Sequence, residues 1–92
     1  MKIICSSDKL KSIHFRNPSV LIPTMGNLHE GHLSLVNYGK KSYKDVITSI
    51  FVNPLQFGKN EDFSEYPKTI EKDIKLLEES GCNYLFLPEK DF

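Results

Sequence analysis

Val20-Leu21-Ile22-Pro23-Thr24-Met25-Gly26-Asn27-Leu28-His29-Glu30-Gly31-His32 is the stretch on which the reading of this chain turns. Val20-Leu21-Ile22 is a compact apolar run rich in branched residues and predicts a buried strand. After the histidines, Leu33, Val36, Lys40 and Tyr43 recur at helical spacing. Lys40, Lys41 and Lys44 gather late, where basic side chains complement the negative end of a helix dipole. A strand that passes through a glycine-bearing turn into a helix is a natural phosphate site. The first N–H groups of the helix point outward there, and the dipole favours negative charge. Histidines at i and i+3 leave the turn on one side and can donate to phosphate oxygens. The expectation is a nucleotide-using enzyme.

Outward from that stretch the pattern repeats. Val46 to Val52 predicts a second buried strand, ending at Asn53-Pro54. Ile70, Ile74 and Leu77 mark an amphipathic helix, with Thr69 as candidate N-cap and Gly81 as candidate C′ residue. Tyr84-Leu85-Phe86-Leu87 is a third apolar run, stopped by Pro88. Upstream, Ile3-Ile4-Cys5 is a short candidate strand. Ser6 and Ser7 are candidate caps for a brief helix across Asp8 to Phe15, broken by Asn17-Pro18-Ser19. Short buried strands alternating with helices predict an α/β fold: βαβ units, a parallel sheet, flanking helices and right-handed crossovers. Ligands in such sheets sit beyond the carboxyl ends of the strands, where both the histidine turn and the segment from Asn53 begin. Asn53 to Lys68 is long for a connection and carries Gln56, Phe57, Asn60, Phe63 and Tyr66. It predicts a substrate-binding or gating loop.

Length and composition bound the alternatives. Ninety-two residues allow one small domain or a piece of a larger one. Lys plus Arg (12) balance Asp plus Glu (12), which argues against a general binder of nucleic acid or membrane surfaces. Cys5 and Cys82 lack CxxC spacing and suggest neither a disulfide framework nor a zinc site. They read as thiols in a reducing cytoplasm. There is no continuous apolar run of leader or membrane-spanning length, so a soluble intracellular protein is expected.

Each candidate residue also has a plainer reading. Histidines at a helix start can simply serve local hydrogen bonds, and spacing alone leaves both readings of His29 and His32 open. A metal reading is weaker: the HExxH zinc motif needs its histidines one residue further apart than this HEGH, and no metal site is expected. Gly31 leaves room for a nucleotide to approach the backbone. Neither GxxxxGK[ST] nor GxGxxG is present. Gln56 stands just beyond a strand end, where an amide can donate and accept at once, or be an ordinary loop residue. Glu61 and Asp62 could help hold a hydrated metal or be merely solvated. Met25 reads as a packing residue whose backbone could touch a ligand.

Pro23-Thr24-Met25-Gly26 followed by Leu28-His29-Glu30-Gly31-His32-Leu33 resembles the signature of the pantothenate synthetase (pantoate–β-alanine ligase) family. The resemblance continues through Ser49-Ile50-Phe51-Val52-Asn53-Pro54-Leu55-Gln56-Phe57-Gly58, Asn60-Glu61-Asp62-Phe63 and Tyr66-Pro67-Lys68-Thr69. Asp73, Leu77, Gly81 and Phe86-Leu87-Pro88 fit the pattern after that. Several motifs in order over nearly the whole chain are specific, whereas HxGH alone would be weak. The resemblance implies a Rossmann-like fold of the HIGH-motif nucleotidyltransferase-like superfamily. It implies condensation of pantoate with β-alanine, using ATP and Mg²⁺ and releasing AMP and pyrophosphate, in a cytoplasmic homodimer. It places Met25, Gly26, Asn27, Leu28, His29, Glu30, Gly31 and His32 along the ATP site, with His29 and His32 as the HIGH-type histidines and His32 as proton donor. Gln56 falls on the glutamine that binds pantoate beside the β-alanine site.

There are departures from the family pattern. Asn27 stands where the family commonly has alanine, Lys59 where proline is common, and Lys68 where arginine is usual. The family's enzymes are also much longer than this chain. The expectation is therefore an N-terminal part of a Rossmann-like domain without the C-terminal domain, inactive or nearly so alone. A simple nucleotidyltransferase and a non-catalytic nucleotide-binding module are the alternatives. The Asn53-Pro54-Leu55-Gln56-Phe57 element favours the ligase.

Overall fold

The computed structural model describes residues 1–51 and 66–88. In chain order these form β1 (Lys2–Ile4), α1 (Ser7–Lys11), β2 (Ser19–Thr24), α2 (Glu30–Ser42), β3 (Asp45–Ile50), α3 (Tyr66–Glu79) and β4 (Tyr84–Phe86). The four strands make one parallel sheet in the order β1-β4-β3-β2. The expected α/β architecture of parallel strands with flanking helices is what these elements form.

Side-chain alternation along each strand decides what the sheet covers. Ile22 of β2, Val46 and Ile50 of β3, and Leu85 of β4 are buried in one cluster with Val36 of α2 and Leu77 of α3. Helices α2 and α3 also touch each other, so both lie on this face. Gly39 lets α2 come close: a methyl group there would stand 3.2 Å from Val46 and 3.3 Å from Val20. The other sheet face is less covered. Leu21 stays exposed on it, while Phe15 lays its ring edge-on to Tyr84 at 5.0 Å between centroids.

Helix ends follow local chemistry. Ser6 caps α1 by accepting from the N–H of Lys9, as expected for one of the two candidate serines. The helix is shorter than the sequence predicted and stops at Lys11 rather than Phe15. Ser12 closes it, donating its hydroxyl to the Lys9 carbonyl at 2.6 Å, and Phe15 is drawn to Tyr84 instead. Helix α3 starts at Tyr66, so Thr69 lies inside it and is not its N-cap. Pro67 is compatible with that earlier start, because a first-turn residue needs no intrahelical N–H bond. The C-terminus matches expectation. Gly81 takes φ +84, its N–H donates to Glu78 and the Cys82 N–H reaches back to Leu77, a Schellman closure.

The strand bounds move by at most two residues from those predicted, because pairing sets them. β1 includes Lys2, which pairs with Tyr84, and β2 runs on to Thr24, which pairs with Ile50. Val52, the predicted last residue of the β3 run, lies outside the described residues.

Asp45 ties the start of β3 to the segment before β2. It is 1% exposed, and its carboxylate accepts from the Arg16 backbone N–H (2.7 Å), Nε (2.9 Å) and Nη2 (2.7 Å). The side-chain bond with Arg16 is the largest reason that the Asp45 pKa lies below the ordinary aspartate value, and it prevails over burial, which acts the other way. As pH falls, the unfolded chain therefore takes up this proton first. The stability contributed by the clamp is complete above the ordinary aspartate pKa and is lost as pH falls through the lowered one. Asp45→Asn is expected to flatten the dependence of the urea midpoint on pH between about pH 5 and pH 3. Parallel curves for the two proteins would refute the clamp.

Candidate functional site

The histidine turn is assembled from three elements. Thr24, the last residue of β2, is buried; its hydroxyl donates to the Ser49 carbonyl at 3.0 Å and accepts from the Gly26 N–H at 3.2 Å. The Phe51 N–H donates to the Thr24 carbonyl, so the carboxyl ends of β2 and β3 lie side by side. Gly26 (φ +87) and Asn27 (φ +52) then take consecutive left-handed conformations, a region that costs an ordinary L-residue about 1–2 kcal/mol and that asparagine tolerates better than most. Leu28, 3% exposed, turns inward to the core.

From α3, the carboxylate of Asp73 reaches this turn. Oδ2 accepts from the Asn27 N–H and Oδ1 from the Leu28 N–H, each at 2.9 Å, and Asp73 is fully buried. The sequence signal for it is positional. Asp73 lies three residues after Ile70 and four before Leu77, on the helix stripe where the amphipathic pattern asks for an apolar side chain. An acid in that place needs a buried partner.

Helix α2 opens on the histidines themselves. His29 is its N-cap, and its Nδ1 accepts from the Gly31 N–H at 3.0 Å. His32 Nδ1 accepts from the His29 N–H at 3.3 Å, and the rings stand 4.2 Å apart. The local hydrogen-bond reading left open by the spacing is therefore realised in the two Nδ1 atoms. Nδ1 of each ring makes the local bond, which leaves Nε2 to carry the proton of the neutral imidazole. Burial, then the charge of His29, push the His32 pKa below the ordinary histidine value, with Asp73 opposing. At neutral pH the His32 ring is neutral and presents one Nε2–H donor. Two such donors side by side at a helix N-terminus suit an anion of phosphate geometry.

The remaining predicted residues divide clearly. Met25 through His32 are contiguous in the turn, as expected, but Met25 is 61% exposed and is not the packing residue that its type suggested. Glu30 is exposed in the first turn of α2. Gly31 does not leave open room for a nucleotide: a Cβ there would meet His29 Cε1 at 2.9 Å and Nδ1 at 3.2 Å. The space is taken by the His29 ring. Gln56, with Phe57, Asn60, Glu61, Asp62 and Phe63, lies outside the described residues.

Gly31→Ala separates helix stability from site geometry. Alanine is better than glycine by about 1 kcal/mol in a helix interior and by less in this first turn, and its methyl would displace the His29 imidazole from its cap on the Gly31 N–H. The thermal midpoint is expected to change little while ATP affinity falls about tenfold, read by calorimetric titration. Unchanged affinity would contradict this role for Gly31.

Among the described residues, no group of three or more His, Cys, Asp or Glu could hold a metal ion. No helix of the described residues is long and apolar enough to cross a membrane. An apolar groove of about 600 Å³ involves Phe15, Leu21, Ile47, Phe51 and Phe86. None of its lining residues is titratable, so it offers no charged side chain to a phosphate.

Comparison with known proteins agrees with this geometry. The model of the pantoate-beta-alanine ligase family matches residues 2–92. The chain is 48% identical to the pantothenate synthetase of Thermosipho melanesiensis over 97% of its own length and 34% of that protein. Among solved structures, pantothenate synthetase from Thermus thermophilus superposes with a TM-score of 0.81 at 42% identity, over 97% of this chain and 32% of that one. The pantoate-beta-alanine ligase of Francisella tularensis, solved with beta-gamma ATP and beta-alanine, gives a TM-score of 0.78 at 36% identity, over 96% and 35%. The chain thus spans about a third of the length of these relatives.

Proposed function

Because this chain belongs to the pantoate–β-alanine ligase family, we propose that it supplies the N-terminal, ATP-binding part of an enzyme that condenses pantoate with β-alanine. The single observation that carries this reading is the pair of imidazoles at the N-terminus of α2, with Nδ1 used by the backbone and Nε2 left as donor.

The chemistry follows from the substrates. The pantoate carboxylate attacks the α-phosphorus of ATP, forming a pantoyl adenylate and expelling pyrophosphate. The amine of β-alanine then attacks the acyl carbon and releases AMP. No side-chain nucleophile is required; positioning and stabilisation of charge on the phosphoryl oxygens carry the rate. His32 and His29 donate Nε2–H to those oxygens where the charge grows, with His32 the proton donor. Met25, Gly26, Asn27, Leu28, Glu30 and Gly31 form the backbone around them. Gln56 is assigned to the pantoate and β-alanine site, within a segment that begins where β3 ends beside the turn.

Mg²⁺ belongs to this proposal only as the companion of ATP. The described residues do not fit a resident metal site: they include no metal-binding cluster, and both oxygens of Asp73 already accept backbone N–H bonds. A homodimer in the cytoplasm is the setting that the family reading brings with it.

Pantoate-dependent exchange of labelled pyrophosphate into ATP tests the reading in a full-length protein carrying these residues. Exchange that requires pantoate and proceeds without β-alanine is the expected result. Exchange without pantoate would indicate a simple nucleotidyltransferase, and no exchange under any condition would overturn the ligase.

A further inference from the structure

We propose that Asp73 is a positioning residue for the two histidines: its buried carboxylate fixes the left-handed turn at Gly26-Asn27 and thereby sets where His29 and His32 present Nε2–H. The inference rests on the ligase reading for what the histidines bind, and on geometry alone for how they are held. Asp73 has no exposure, and its oxygens each accept one of two successive N–H groups at 2.9 Å. The one ion pair among the described residues joins Arg16 and Asp45, so Asp73 is held by backbone amides and not by a cationic side chain. Hydrogen bonds to an ionised acceptor are about twice as strong as neutral ones.

Chain direction gives those bonds their leverage. Asn27 and Leu28 immediately precede His29, the N-cap of α2. If Asn27 left its positive φ for the ordinary right-handed or extended region, the chain would enter α2 at another angle. His29 would then lose its bond to the Gly31 N–H and His32 its bond from the His29 N–H. The Asp73 fork prevents that by holding the amides on both sides of the Asn27–Leu28 junction. It also couples α3 to the turn from which α2 starts.

Asparagine is the informative substitute. It keeps the volume of Asp73, but only its carbonyl accepts, and its NH₂ faces an N–H donor. Amide hydrogen exchange and ATP titration on a full-length protein carrying these residues, as the wild type, Asp73→Asn and Asp73→Glu, test the proposal. In the wild type, the Asn27 and Leu28 amides are expected to be strongly protected. In Asp73→Asn, protection at Asn27, Leu28, His29 and Gly31 should fall about ten- to hundredfold while Ile47 and Thr48 in β3 keep theirs. The dissociation constant for ATP should rise about tenfold in the same variant, with Asp73→Glu between it and the wild type.

A uniform loss of protection across the sheet would show a merely structural acid and overturn the proposal. So would a freed turn with unchanged ATP affinity. If Asp73→Asn does not fold, rapid exchange of Asn27 and Leu28 in the wild type would overturn it by itself, and slow exchange there with a weakened Asp73→Glu would support it. If the wild type fails to bind ATP, the ligase reading fails, while exchange at His29 and Gly31 still decides whether Asp73 holds the turn.

Discussion

His32→Ala is expected to slow pantoyl adenylate formation by about 10²- to 10³-fold while changing ATP affinity by less than about tenfold. The first magnitude is that of removing one pre-positioned donor from the oxygen on which transition-state charge develops. On the proposed reading, ground-state ATP contacts the backbone of the turn as well as the rings, so the loss of one ring weakens binding less than it raises the barrier. The fold should survive. His32 is only half-buried, and the His29 N–H that it accepts from is exposed enough for water to replace the ring. Single-turnover formation of AMP, with ATP and pantoate saturating in a full-length protein carrying this segment, separates the two effects. An unchanged rate would remove His32 from the chemistry, and a change in affinity alone would make it a binding residue.

Leu77→Ala is expected to have the largest effect on the fold. Leu77 is fully buried on α3, in the cluster that includes Val36, Val46 and Leu85. It also supplies the carbonyl that accepts from Cys82 in the helix closure. Truncating such a leucine costs about 2–5 kcal/mol through lost transfer and the cavity left behind. Domains of this size have roughly 5–15 kcal/mol in total, so the loss is a large share. At about 4–8 °C per kcal/mol, the thermal midpoint should fall by at least about 8 °C. The neighbouring Ile74 is only partly buried, and Ile74→Ala should cost less. Calorimetry of both variants checks this, and equal or negligible shifts would mean that α3 is not docked as described.

Much of this architecture could be read in the sequence because strand and helix periodicity are local signals. Val20-Leu21-Ile22, the β3 run and the stripe through Ile70, Ile74 and Leu77 each announce an element within a few residues. Gly81 announced the end of α3 because a left-handed C′ position favours glycine. Element ends were less legible where a neighbour decides them. Ser12 and the pull of Tyr84 on Phe15 end α1 early, and Thr69 has the chemistry of a cap although α3 already starts at Tyr66.

The candidate site was legible as a segment but not as an arrangement of atoms. Spacing showed that His29 and His32 share one side of a helix start; only geometry shows that Nδ1 serves the backbone in both. Gly31 was read as room for a ligand, whereas the room belongs to His29. The two acids that organise the fold act across long sequence separations, Asp45 on Arg16 and Asp73 on Asn27 and Leu28. No window of local pattern contains both ends of such a bond. Asp73 nevertheless left a trace, as an acid on an apolar stripe.

Titration of ¹⁵N-histidine-labelled protein with ATP at about pH 7.5, where neutral imidazole dominates, tests the central claim most directly. The account predicts saturable shifts of the Nε2–H signals of His29 and His32, with matching shifts of the Gly26 to His32 amides and little change at Leu21 or Phe86 along the apolar groove. Saturable binding that moves the groove residues and leaves both imidazoles unchanged would contradict it.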